Sequence, residues 1–484
     1  MPHVLAIDIG TSGCRSAIYN EDLEMICVST AEYPLIVLSE KEIEQDADIW
    51  WRKALATMEE VLSKEPIVSK EIKAISISSQ GIATVPIDKD GNALDHAISW
   101  LDSRAEEEIK MLEKRYGSKA LYDRTGKRLS ASYSLSKLIW FRNHRQDVYN
   151  KAWKILLPMD FIQFKLSGKC VTDHTMAGGT MYYNIADQKW DKAILDDNNL
   201  DVKKLADIAW AGDVIGYILP EIANKFGLSH DVLIVNGAQD QKCAAFGAGA
   251  AQDIAAVSLG TASSIAQLSD TIIKDPQMRI PFFSYIKESV WDMEGVINTA
   301  GSAYNWFKRE FGSGYSFDDL NTLASKVTLP NACMFYPYLA GACAPNWGNP
   351  TGCFIGLSLN TGLGHAARAV MEGVAYGIKE NLEVMAFSCS KAKQIRLYGG
   401  GSKSDLWCQI IANITNIPVA RLSSSETALA GAAKLAFTSL GVSTPNSLAV
   451  AKEFVSDADA VEIYNTSYLK YEQIRKICFE SEER

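Results

Sequence analysis

Leu5-Ala-Ile-Asp8-Ile-Gly10-Thr11-Ser12-Gly-Cys-Arg15-Ser-Ala-Ile18 reads as an apolar strand, a turn of glycine and hydroxyl residues, and a second strand. Half a chain later, Ala256-Val-Ser258-Leu-Gly260-Thr261-Ala-Ser263-Ser-Ile-Ala-Gln-Leu268 repeats the pattern of strand, Gly-Thr-small turn and strand. One such turn is most simply a hairpin. Two at matching places predict a duplicated architecture, each half lending one hairpin to a shared cleft.

Both turns suit phosphate. Glycine has no Cβ, so bare amides and hydroxyls can approach phosphate oxygens closely. That chemistry is on offer at Gly10, Thr11 and Ser12, and again at Gly260, Thr261 and Ser263. Arg15 could add a charge-assisted contact to a terminal phosphate. Asp8 interrupts an apolar strand, where an acid is disfavoured unless it faces a wet cleft and a cation. It is assigned to Mg2+, through coordinated water. The other reading is a strand-end aspartate satisfied by turn amides. Ser258 stands where the first hairpin has Asp8, so the metal side would belong to the first half alone.

The 484 residues exceed one ordinary domain, and 47% apolar with 22% charged residues describe a globular protein with substantial cores. A net charge of −10 argues against a nucleic-acid binder. No apolar run reaches the roughly 18–20 residues of a membrane span. The opening Met-Pro-His-Val-Leu-Ala-Ile-Asp enters a strand pattern without a basic, apolar leader, so a cytoplasmic chain is expected. Ten scattered cysteines without a CxxC pair read as reduced thiols, and six dispersed histidines give no zinc spacing.

Short β-branched runs alternate with helical stretches throughout, which makes the chain α/β. Predicted strands cover 4–9, 16–19, 74–78, 232–235, 255–259, 263–268 and 395–398; predicted helices cover 47–62, 364–385 and 404–415. No linker tract divides the chain, so any boundary is a tight hinge. No GxxxxGK[ST] is present, which rules out a P-loop enzyme. The run Gly399-Gly400-Gly401-Ser402-Lys403-Ser404 lies between a strand and a helix. There a base and ribose could lie against backbone, or the chain could simply turn sharply.

Longer stretches narrow the reading. They are Ser132-x-Ser134-x-x-Lys137-Leu138-x-Trp140-Phe141-x-Asn143-His144, and Gly352-x-Phe354-x-Gly356-Leu357 followed by His365-Ala366-x-x-Ala369-Val370-Met371-Glu372. With Trp100-Leu-Asp102-Ser-Arg104, Thr172-Asp173 through Gly179-Thr180, and Glu426 through Gly431-Ala432-Ala433, they resemble the FGGY family of carbohydrate kinases over nearly the whole chain. Only Ala366 departs from the second signature, replacing a larger aliphatic residue. The resemblance implies two actin-like, ribonuclease-H-like lobes: a sugar-binding lobe at 1–246 and a nucleotide-binding lobe at 247–484. It implies Mg-ATP between them, with closure around substrate, and a homodimer is the association the family suggests. The family's catalytic aspartate corresponds to Asp240, whose carboxylate would accept a proton from the sugar hydroxyl; read alone, Asp240 could equally be a helix N-cap. Gly301 and Asn305 match nucleotide contacts, and Gly400, Gly401 and Ser404 match adenosine contacts. Trp306 reads as core.

Substrate is less constrained. Family xylulokinases place Gln-Met-His-Gly after the third strand, where this chain has Gln80-Gly81-Ile82-Ala83. The Arg-Glu of glycerol kinases is also absent. Candidate substrate residues are Gln80, Gly81, Trp100, Asp102, Arg104 and Gln241. The expected reaction is ATP-dependent phosphorylation of a ketopentose such as xylulose; gluconate, a glycerol-like polyol or a tetritol is the alternative acceptor. An actin-like or Hsp70-like ATPase acting on protein partners is the alternative of another class.

Overall fold

The computed structural model describes residues 2–479. The chain forms two compact units: Met1–Gly247 with Phe282–Asp292 and Glu426–Leu448, and Ala248–Pro281 with Met293–Ser425 and Ala449–Arg484. The first unit's long segment ends one residue beyond the expected 246/247 boundary. Two later segments return to pack with that unit.

In the first unit a sheet is built from β1 (His3–Ile9), β2 (Gly13–Tyr19), β3 (Met25–Glu32), β4 (Ile72–Ser79), β5 (Val214–Tyr217) and β6 (Leu233–Gln239), in the order β5-β6-β4-β1-β2-β3. β1 is antiparallel to β2 and parallel to β4, and β6 continues the parallel side. Side chains alternate across a strand. Leu5, Ile7 and Ile9 therefore enter a core shared with Trp50 and Met58 of the helix Ala47–Lys64. Asp8, of opposite parity, pairs with Arg15, whose other amino group reaches Glu426, the residue that precedes the helix Thr427–Ser439. That helix packs on β1, β4 and β6. It also lies tightly against the helix Asp240–Ala248, where glycines allow the approach: a Cβ at Gly431 would lie 2.0 Å from the Cys243 carbonyl oxygen, and one at Gly247 would lie 2.2 Å from that of Thr427.

A register shift between Val235 and Ala238 interrupts the β6–β4 pairing. Gly237 lies in this irregularity, and a Cβ there would stand 1.7 Å from the Ile77 carbonyl oxygen. Gly237→Ala must push β6 off β4 and is expected to cost about 1–3 kcal/mol. The measurement is thermal unfolding: a Tm lowered by several degrees is expected, and an unchanged Tm would contradict so close an approach.

The second unit repeats the plan with β7 (Ile254–Ser258), β8 (Ser263–Ser269), β9 (Trp291–Ile297), β10 (Gln394–Tyr398), β11 (Val419–Leu422) and β12 (Val450–Phe454). Their order is β9-β8-β7-β10-β11-β12. β7 is antiparallel to β8 and parallel to β10, as β1 is to β2 and β4. The two hairpins recognised in the sequence thus occupy equivalent places in two sets of six strands arranged in the same order. The predicted helix at 364–385 is observed as Leu363–Met385, and the one at 404–415 as Asp405–Thr415. Tyr464, Tyr468 and Tyr471 of the helix Ala458–Phe479 pack around Tyr376. Among the described residues no helix is long and apolar enough to cross a membrane.

Candidate active site

Asp240 stands where β6 runs without a loop into the helix Asp240–Ala248. The first turn of a helix presents unpaired amides and the positive end of its dipole, and both favour an ionised carboxylate. Asp240 Oδ1 accepts from the Gln241 amide at 2.7 Å and from the side-chain amide of Gln239. Gln239 is itself held at several points. Its Oε1 accepts the amides of Gln241 (3.1 Å) and Lys242 (3.3 Å), and its own amide donates to Thr175 Oγ1 at 2.8 Å.

The Gln80–Ala83 turn rests on this assembly. A Cβ at Gly81 would lie 3.2 Å from Gln239 Cγ. The Gln80 amide donates to the Ile9 carbonyl at 2.7 Å, while the Gln80 side chain is 1% exposed and neither of its polar atoms has a hydrogen-bond partner. Such orphaned groups cost about 1–3 kcal/mol each unless something polar meets them. Ile82 has a φ of +58°, strained for a β-branched residue. Only a glycine fits beside it, since a Cβ at Gly179 would fall 2.6 Å from Ile82 Cγ2.

Next to Ile9 at this same end of β1, Asp8 is 3% exposed rather than open to a wet cleft. It is tolerated because Ser78 donates to Oδ1 and Arg15 to Oδ2, both at 2.8 Å. Arg15 also donates to Glu426 at 2.6 Å. Burial works against the guanidinium charge, but Asp8 and Glu426 outweigh it and raise its pKa above the ordinary value. Arg15, expected to reach for phosphate, thus bridges two carboxylates here. Each Asp8 oxygen accepts one hydrogen bond and keeps lone-pair capacity for another. That fits a magnesium ion held through its water, because Mg2+ retains much of its hydration.

The Gly10–Ser12 turn closes through a Gly10 N–H to Gly13 carbonyl bond of 2.8 Å. Ser12 is exposed. Thr11 Oγ1 accepts from Trp100 Nε1 at 3.0 Å, so an expected phosphate residue and an expected sugar residue are neighbours. Asp102 and Arg104 are differently placed. Arg104 pairs with Asp102 (2.8 Å) and Glu44 (2.9 Å), and Asp102 also accepts the Ile43 amide at 2.7 Å. With side chains 0% and 7% exposed, both brace the 99–104 loop against the Ile43–Gln45 strand.

In the second unit the nucleotide candidates converge on Leu259–Gly260. The Gly301 amide donates to the Gly260 carbonyl at 2.7 Å, and a Cβ at Gly301 would lie 2.5 Å from that oxygen. The Gly401 amide donates to the Leu259 carbonyl at 2.8 Å, and a Cβ at Gly399 would press within 2.9 Å of the same peptide. Gly400 faces open space. The Thr261 carbonyl accepts from Ala300 and Ser302, tying the second hairpin to the helix Gly301–Glu310. Asn305, one turn beyond Gly301, is exposed on the same helix face. Ser404 caps the helix Asp405–Thr415, accepting the Trp407 amide at 3.3 Å. Trp306 stacks on Phe335. Backbone approached this closely, with an exposed glycine at its rim, fits an adenine nucleotide's phosphates and sugar.

Several residues escaped the sequence reading. Gln239 and Glu426 bind the two key acids' surroundings, and Ser78 supports Asp8; polar residues ending the otherwise apolar strands β4 and β6 were the available signal. Lys242 lies buried, 3.3 Å from Asp292 and 3.5 Å above the Phe283 ring, with Lys127 3.6 Å from that ring. Nearby, burial pushes Asp173 up to about 7, against the pull of the Met176 and Thr175 donors and the charge of Lys242.

Comparison with known proteins decides the family. The profile of the FGGY family of carbohydrate kinases, N-terminal domain, matches residues 3–247, and that of its C-terminal domain matches residues 255–440. The chain belongs to the FGGY family of carbohydrate kinases. A xylulose kinase of Bacillus subtilis (strain 168) is 28% identical, covering 98% of this chain and 97% of the relative. A ligand-bound xylulose kinase structure from Lactobacillus acidophilus superposes with a TM-score of 0.93 at 26% identity, covering 99% of this chain and 98% of that one. A gluconate kinase from the same organism gives 0.92 at 26%, covering 98% of each chain. The FGGY enzyme described here is thus a xylulokinase-like carbohydrate kinase of actin-like α/β architecture, acting on a small molecule. Membership leaves the alternative of an ATPase acting on protein partners without support.

Proposed function

We propose that this kinase transfers the terminal phosphoryl group of ATP to a hydroxyl of a ketopentose such as xylulose. Asp240 accepts the hydroxyl proton, and Asp8 holds magnesium through its water. The observation that carries the reading is the buried, unpartnered amide of Gln80. It lies in the turn that rests on Gln239, the residue orienting Asp240. An amide both donates and accepts, so it can read a sugar hydroxyl in either sense.

Magnesium, when bound, neutralises charge on the transferring phosphates. The chain's own groups do the rest. Amides at Gly10–Ser12 and at Gly260–Thr261 hold phosphate oxygens, with Gly301, Asn305, Gly400, Gly401 and Ser404 placing the nucleoside. Gln80, Gly81, Gln241 and Trp100 orient the acceptor. The helix N-terminus and two N–H donors stabilise the carboxylate form of Asp240, and an ordinary carboxylate suffices when proton transfer is late. Asp102 and Arg104 act by holding the loop that carries Trp100.

A coupled ADP-release screen over ketoses, polyols and aldonic acids tests the acceptor. D-xylulose is expected to give the highest kcat/KM. A better rate with gluconate, glycerol or a tetritol would overturn that choice. The absent histidine makes the comparison informative, because a site built for one pattern of hydroxyls rejects a mismatched one strongly.

A further inference from the structure

We propose that Gln239 is a positioning residue for Asp240. It fixes the plane of the carboxylate, lowers its affinity for a proton, and links it to the Gln80–Ala83 turn. The inference rests on the reading of Asp240 as the base.

Gln239 ends β6 opposite Ser79, just before the turn begins on the neighbouring strand. The register irregularity between Val235 and Ala238 re-aims this strand end, as bulges do. Both ends of the amide are then used. Oε1 takes two helix amides, and Nε2 donates to the same Asp240 oxygen that accepts the Gln241 amide. Two donors fill the lone pairs of Oδ1, so the carboxylate cannot rotate without losing both. Donors to the charged form favour it and lower its pKa. Behind Gln239, its backbone amide donates to Thr175 Oγ1, which donates to Asp173 at 3.0 Å. In front, its Cγ supports Gly81. A shift of the sugar turn is thereby felt at the base.

A residue that merely capped the helix would change stability and leave the titration of Asp240 alone. Cys243 is within electrostatic reach of Asp240, and Asp173 and Asp8 act on the same thiol, while Lys242 acts on Asp173. They are common to wild type and variants, so a change at Gln239 alone isolates its bond.

The test uses full-length protein labelled with carbon-13 at aspartate Cγ; the Asp240 resonance is the one missing from Asp240→Ala. Gln239→Met keeps the contact with Gly81 but cannot donate. Its Asp240 pKa is expected about one unit above wild type, a roughly tenfold change in proton affinity. Gln239→Glu retains the helix-capping oxygen and sets a second carboxylate beside Asp240, so the pKa should rise further; it carries the comparison if the methionine variant fails to fold. With D-xylulose and Mg-ATP, the acid limb of kcat/KM should move to higher pH by the same amount. An Asp240 pKa within about 0.3 unit of wild type in the folded variants overturns the proposal. Failure of the base assignment is separately visible, as near-normal turnover by Asp240→Ala.

Discussion

Asp240→Ala is expected to lower kcat by about 10²–10⁴-fold, the usual worth of a positioned general base. Nucleotide affinity should stay near wild type, because the Gly260, Gly301 and Gly399–Gly401 backbone proposed to receive it does not involve Asp240. The fold should also survive. The lost carboxylate leaves the Gln241 amide in the first turn of a helix, where Gln239 Oε1 still accepts it. Turnover by coupled ADP release and binding by nucleotide titration separate the two effects. Near-normal turnover would remove Asp240 from the chemistry, and lost nucleotide binding would mean the substitution had damaged the fold instead.

Asp8→Asn is expected to raise the magnesium concentration needed for half-maximal activity by more than about tenfold and to reduce kcat, since it deletes the charge proposed to hold the hydrated ion. The substitution is nearly isosteric, and Ser78 can still donate to the side-chain oxygen. Arg15 keeps Glu426 but loses a charge-assisted bond, at a cost of about 1.5–3 kcal/mol. Metal titration of activity and Tm therefore report different things. A lowered Tm with an unaltered magnesium titration would make Asp8 a purely structural partner of Arg15.

The paired Gly-Thr hairpins announced the duplicated sheets because their pattern is local: apolar strand, glycine turn, apolar strand. The helices at Ala47–Lys64 and Leu363–Met385 were legible for the same reason, through apolar spacing along a single segment. The family signatures proved to be mainly structural. Lys137 is fully buried and donates to the Ser99 and Ser132 carbonyls at 2.5 and 2.6 Å, and burial pushes its pKa down to about 7. Glu372 accepts from Arg368 and Tyr464, both at 2.8 Å, inside the second unit. These residues mark the fold without touching the proposed chemistry.

What the sequence hid lies across long separations. Glu426 reaches Arg15 over most of the chain, and no local pattern announces that contact. The return of 282–292 and 426–448 to the first unit is likewise a tertiary fact. Asp102 and Arg104 were candidate sugar contacts as members of the Trp100–Arg104 block that resembles the family, and such a block does not tell a contact from a brace. Their mutual pairing, with Glu44 contributed from an earlier hairpin, becomes visible only once the strands are placed.

Phosphorus NMR of the wild-type enzyme with Mg-ATP and D-xylulose tests the central claim most directly. ADP and a sugar phosphomonoester should grow in one for one, with no ADP formed when sugar is withheld and none above background with Asp240→Ala. Sugar-independent release of inorganic phosphate, or an equal phosphomonoester yield from the Asp240→Ala variant, would contradict it.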